Sequence, residues 1–188
     1  MAEAPHLTLA EMDAGRAAIL QSPKDAGVLQ LIVRRPGVEQ REVLMEARLD
    51  PAHGLVGDNW QARGSRSTTD GAANPDMQLT IMNARVVSLL AQSKDRWALA
   101  GDQLFVDFDL SESNLPPGTR LAIGSAVVEV TASPHTGCKK FAARFGADAV
   151  AFVNSPEGKR LHLRGINAKV VRPGMIRGGD TVKKMTDS

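Results

Sequence analysis

The stretch TRLAIGSAVVEVTASPHTGCKKFAARFG, Thr119 to Gly146, sets two short β-rich runs on either side of Gly124 and follows them with a segment of different period that begins at Cys138. TRLAIG and AVVEVTAS have the length and branched side chains of strands, whereas Phe141 and Phe145, four apart in CKKFAARFG, share one face of a helix. The same punctuation recurs in both directions. Upstream, VLQLIVRRP and REVLMEARL are joined by the turn-forming RPGVEQ and predict a hairpin; MQLTIM predicts a further strand, and NARVVSLLAQ a helix capped by Asn83. Downstream, KRLHLRG and AKVVRPG read as strands and IRGGD as a turn before a charged tail. Near the start, Thr8 and Glu11 in TLAEMDAGRAAIL have capping-box spacing, which predicts a short amphipathic helix at the edge of the domain. Many short strands with a few short helices define a mainly β, α+β class with a β-barrel-like architecture. Residues 1–27 form the N-terminal helix and lead-in, and residues 28–188 the barrel-like domain.

Composition narrows the function. With 188 residues, 43% hydrophobic and 23% charged, the chain has the make-up of one ordinary globular domain. Its 23 basic residues against 21 acidic ones are too balanced for binding to a phosphate backbone, so nucleic acid is not the expected partner. No apolar run approaches the ~20 residues that cross a bilayer, and MAEAPHLTLAEMDAGR lacks a basic segment followed by an apolar one. A cytoplasmic protein with no membrane partner is expected. The single cysteine cannot form an internal disulfide, in keeping with a reducing compartment.

That cysteine is the first candidate for chemistry. At the opening turn of a helix, free backbone N–H groups and the neighbouring Lys139 and Lys140 favour negative charge, and with it the thiolate, which is the nucleophilic and metal-binding form. A buried, inert cysteine is the competing reading. His135 precedes the thiol by three residues across a glycine-containing turn and need not face it. A hydrolase would also need an orienting third group, and a zinc site paired histidines, whereas His6, His53, His135 and His162 are scattered. HGLVGDNW predicts a tight turn in which Gly54 and Gly57 supply positive φ and Asp58 bonds backbone N–H groups; Asn114 in SESNLPPG holds a second turn. RGSRSTTDGAANPD, Arg63 to Asp76, has no periodicity and reads as a loop, mobile or closed over a ligand.

GLVGD after a strand, then NLPPGTRLAIGSAVVEVT, then the P-x-x-x-C spacing of Pro134 to Cys138 together resemble the MOSC domain, the module of molybdenum-cofactor sulfurases and of standalone bacterial proteins, over about Val28 to Val182. The resemblance implies a MOSC-like β-barrel, a molybdenum cofactor (Mo-pterin), and Cys138 as the catalytic residue, metal ligand or sulfur carrier. It implies cofactor contacts among Asp58, Asn114, His135, Lys139 and Lys140. Many members carry an arginine where His135 stands and a second proline before the cysteine. This chain reads PHTGC, so Arg63, Arg66, Lys139, Lys140 and Arg144 become the candidates for gripping a cofactor phosphate. Two functions follow. One is an enzyme reducing N-hydroxylated substrates; the other is a non-catalytic carrier delivering sulfur or cofactor to a partner protein. No G-x-G-x-x-G follows a strand and one cysteine cannot ligate an iron–sulfur cluster, so an external electron donor is implied.

Overall fold

Thr8 caps the first helix: its hydroxyl accepts from the Glu11 backbone N–H, and the Glu11 carboxylate accepts from the Thr8 N–H at 2.8 Å. In the computed structural model, which describes residues 5–186, the elements run α1 (Leu9–Leu20), β1 (Ala26–Arg34), β2 (Glu42–Leu44), β3 (Glu46–Asp50) and β4 (Gly54–Leu55). There follow α2 (Trp60–Arg63), β5 (Leu79–Asn83), α3 (Ala84–Ala91), β6 (Leu104–Asp107), β7 (Arg120–Ile123) and β8 (Ala126–Val130). The chain ends with α4 (Lys139–Phe145), α5 (Ala147–Asn154), α6 (Pro156–Arg160), β9 (Ile166–Arg172), β10 (Gly174–Arg177) and β11 (Thr181–Lys184).

Seven strands close a barrel in the order β1, β11, β7, β8, β9, β5, β6, with β6 returning to β1 and β2 added at the edge of β1. All pairs are antiparallel except β5 with β6, which are joined through α3 as a parallel pair requires. A separate small sheet pairs β10, β3 and β4. Along the strands, side chains alternate between two cores. Ile32, Ile81, Leu104 and Val106 face the barrel interior, while Val33, Met82 and Phe105 face a second cluster with Met12, Val87, Phe141 and Phe152 from the helices. Helix α1 packs on α3 and α5. Among the described residues no helix is long and apolar enough to cross a membrane.

Three elements differ from the sequence expectation. REVLMEARL is not one strand: Glu42–Leu44 pairs with β1, and Glu46–Asp50 leaves for the small sheet, where it pairs with β10. KRLHLRG is not a strand. Its first residues end α6, which Ser155 caps by accepting from the Gly158 N–H, and the rest is a turn with His162 at φ 48°. The alternating Leu161 and Leu163 imitate a strand, but Ser155-Pro156 is a helix start, which governs the following turn. The charged tail is β11, the strand that closes the barrel.

Candidate functional site

Cys138 is exposed, not buried. It lies on the wall of a cavity of about 290 Å³ between the β1–β2 hairpin tip, α4 and the segment entering β9. The cysteine is the N-cap residue of α4, and its position is fixed from both sides. Behind it, Phe141 and Phe145 are buried with ring centroids 5.0 Å apart. Ahead of it, Asn154 at the end of α5 grips Gly137 by two bonds: Oδ1 accepts from the Gly137 N–H at 2.9 Å and Nδ2 donates to its carbonyl at 3.0 Å. Asn167 holds the preceding turn, donating to the carbonyls of Ser133 and Pro134 at 3.1 and 3.2 Å.

Six cationic side chains line this cavity, Arg35, Arg41, Arg63, Lys140, Arg144 and Arg164, with Glu39 as the lining carboxylate. Arg35 is spent on Asp58, to which its Nε and Nη2 donate at 2.9 and 2.8 Å; the same carboxylate takes the backbone N–H groups of Arg35 and Trp60. This pair ties the root of the hairpin to the Gly57–Trp60 turn. Burial and then the like charge of Arg144 lower the Arg41 pKa, and burial and then Arg35 lower that of Arg63. In both, burial is the larger cause and a neighbouring cation adds to it, against the opposing pull of Glu39 on Arg41 and of Asp58 on Arg63. Deeper, Arg164 donates through Nη1 to Asp102 at 2.6 Å, and Asp102 takes His135 Nε2 at 2.8 Å. The Arg164 guanidinium lies 4.6 Å from the centroid of the Phe141 ring. Burial, then the Arg164 charge, keep the His135 pKa below the usual histidine range, so at neutral pH the imidazole is uncharged.

The cavity also concentrates unmet hydrogen-bonding capacity. Among the described residues five buried side-chain polar atoms lack a partner, and four of them, Arg41 Nε, Asn59 Oδ1, Arg164 Nε and Asn167 Oδ1, belong to residues of this one wall. Arg164 is 6% exposed and Asn167 1%, so solvent does not readily satisfy them. Buried polar atoms are normally paired, so these exceptions leave hydrogen-bonding capacity at this wall for a water, an ion or a polar ligand. A second cavity, of about 500 Å³, shares His135 and Asn167 as a wall and is otherwise lined by Val130, Ile166, Lys159 and His162 among others.

Of the sequence-predicted contacts, Cys138, His135, Lys140 and Arg63 meet here, as does Arg144. Lys139 is exposed beside the thiol and Arg66 is exposed, both outside the lining. Asp58 is buried under Arg35, and the expected turn is formed with Gly54 at φ 68° and Gly57 at φ 86°. Asn114 is elsewhere, donating to the carbonyls of Lys24 and Asp109 and accepting from Lys184 Nζ. The sequence reading missed Arg35, Glu39, Arg41, Asn59, Asp102, Arg164 and Asn167. One signal was available for the hairpin, where RRPGVEQR packs three arginines into eight residues. Of the stretch expected as a loop, Arg63 ends α2, residues 64–74 are turns and irregular chain, and Pro75–Met77 form one turn of 3₁₀ helix. Among the described residues no group of three or more His, Cys, Asp or Glu side chains is placed to hold a metal.

The closed β-barrel thus carries, on one wall, an exposed thiol beside a cavity lined by six cationic side chains. The chain belongs to the MOSC domain family, whose model matches residues 68–183. Its fold is similar to that of the YuaD protein from Bacillus subtilis, with a TM-score of 0.60 and 15% identity over 87% of this chain and 97% of that one. It is also similar to YiiM from Escherichia coli, with a TM-score of 0.55 and 20% identity over 86% of this chain and 71% of that one. No curated protein matches the sequence.

Proposed function

We propose that this protein binds a phosphorylated pterin form of the molybdenum cofactor in the cavity beside Cys138, with the thiolate as metal ligand or sulfur carrier. The observation that carries this reading is the exposed Cys138 thiol on the wall of a cavity that also presents Arg41, Arg63, Lys140 and Arg144. The residues fit such a group in kind. Lys140, Arg144, Arg41 and Arg63 suit a phosphate, since guanidinium forks and ammonium groups both bind phosphate oxygens. Asn59, Asn167 and Arg164 offer both donors and acceptors, as a heterocycle rich in N–H and C=O groups requires. A soft thiolate suits a molybdenum centre or a sulfur atom better than any oxygen or amine side chain of this wall. When bound, the cofactor would supply two-electron redox chemistry that no side chain of the cavity offers.

The chain's own residues position and balance the ligand. His135, uncharged and fixed through Nε2, adds no positive charge beside the thiol, and Asp102 holds Arg164 in place. The neighbouring cavity beyond His135 and Asn167 gives a small substrate space next to the cofactor, which favours the enzyme reading, reduction of an N-hydroxylated substrate with electrons from a partner protein, over a pure carrier. The test is metal analysis with pterin fluorescence on protein purified from a host that makes the cofactor. The wild type is expected to retain molybdenum and pterin. Cys138→Ser, folded by circular dichroism, is expected to lose the metal. Metal-free wild type, or a serine variant that retains molybdenum to the same extent, would overturn the proposal.

A further inference from the structure

Glu39 is the one carboxylate among the residues that line this cavity, against six cationic side chains. It sits at the tip of the β1–β2 hairpin with φ 59°, a left-handed backbone that residues other than glycine seldom adopt. From there its side chain spans to α4: Oε1 accepts from Lys140 Nζ and Oε2 from Arg144 Nη2, each at 2.7 Å, with Arg41 Nη1 3.7 Å away. The Lys140 hydrogen bond and then the Arg144 charge hold its carboxyl down to about 2. One carboxylate does not neutralise this group. Lys140, Arg144 and Arg41 all share it, and among the described residues Arg63 has no carboxylate partner.

We infer that Glu39 stands in the position of the ligand's own anionic group, a phosphate monoester or diphosphate, and that the hairpin tip Gly37–Arg41 is a latch which phosphate opens by taking Lys140 and Arg144 from Glu39. The inference rests on the reading of this cavity as a phosphate site. A phosphate carries more charge and more acceptor oxygens than a carboxylate, so it can engage Lys140, Arg144 and Arg41 together where Glu39 engages them unequally. The hairpin is built for a local movement. Its root is fixed by the buried Arg35–Asp58 pair, while the tip is closed by a single backbone bond, Gln40 N–H to Gly37 carbonyl at 3.2 Å. Glu39 also lies outside residues 68–183, so the latch belongs to a part of the chain that the family model does not match.

The experiment uses the full chain from a host lacking the cofactor, with inorganic pyrophosphate as the probe in calorimetry at fixed ionic strength. Glu39→Gln removes the competitor; Glu42→Gln removes the same charge from the outer side of the hairpin, where Glu42 pairs with Arg34. Glu39→Gln is expected to bind about tenfold tighter than wild type, and Glu42→Gln within about twofold of it. In the wild type, saturating pyrophosphate is expected to speed hydrogen exchange of the 37–41 amides. Equal gains in the two variants would reduce the effect to net charge and overturn the latch, as would unchanged or weaker binding by Glu39→Gln. Arg144→Gln separates the two proposals. If it abolishes binding that the wild type shows, the phosphate site stands whatever Glu39→Gln does; if no form of the chain binds pyrophosphate, site and latch fall together.

Discussion

At Asp102 a carboxylate with no exposed surface lies between Arg164 and His135. Burial alone would raise its pKa, but Arg164 and then His135 outweigh burial and hold it below the ordinary carboxylate range. His135 is lowered, by burial first and the Arg164 charge second. The trio therefore holds one ion pair and a neutral imidazole. Because the folded pKa of His135 lies below the unfolded value of about 6.5, the unfolded chain takes up the proton first as pH falls. Its contribution to stability is full above about pH 6.5 and is lost as pH drops through the folded pKa. Asp102 acts in the same direction at lower pH, its contribution being full above about 3.9. His135→Gln keeps a donor for Asp102 but does not titrate, so its urea-unfolding free energy is expected to change less between pH 7 and 5 than that of the wild type. A pH slope equal to the wild type's would show that His135 carries no such linkage. Arg164→Met leaves Asp102 buried without its cation and is expected to cost about 3–5 kcal/mol in the same assay. In sequence, Cys138 and His135 draw notice as rare residue types near each other. Asp102 and Arg164 do not, because they are 62 residues apart and a lone charged residue reads as solvated surface.

Helix α4 is too short to be stable alone, since isolated helices below ~12 residues are marginal in water. It stands on Phe141 and Phe145, and Phe141 also supports the Arg164 guanidinium. Phe141→Ala is expected to cost about 3–5 kcal/mol, the usual range for deleting a buried phenyl ring. Lys139→Ala, on the exposed face of the same helix, is expected to stay within about 0.5 kcal/mol of wild type. Denaturant titration of both variants checks the contrast, and equal effects would deny Phe141 its anchoring role. Elements of this kind were readable where the local signal and the tertiary setting agree: the Thr8 capping box, the Phe141–Phe145 face, the Gly54 and Gly57 turn. They were misread where only the setting decides. Met45 is 85% exposed between β2 and β3, so nothing in the run of β-formers marks the point where the chain changes sheets. In α6, Gly158 packs where an added Cβ would meet the Phe152 carbonyl at 2.3 Å, a contact no residue pattern reveals.

A barrel exists only when its last strand finds its first, and here that strand is TVKK. Three of its four residues are polar, which is why the stretch reads as a charged tail and why the barrel class was readable from strand number while its closure was not. Val182 is the exception. It is fully buried in the barrel core, opposite Gly27 on β1 and opposite Ile123 on β7, so one side chain lies at both seams. Replacing it by aspartate puts an unpaired charge into that core, and the strand must either carry the charge inside or leave. Departure opens the edges of β1 and β7 to solvent and to other chains, the condition that leads to edge-to-edge association. A cost of roughly 4 kcal/mol or more is expected, against a total of about 5–15 kcal/mol for a typical domain. Val182→Asp should therefore show a lowered urea midpoint together with early-eluting species in size-exclusion chromatography. Lys183→Ala, on the exposed side of the same strand, should show neither. A Val182→Asp protein that keeps the wild-type midpoint and elution volume would mean that β11 does not hold the barrel closed.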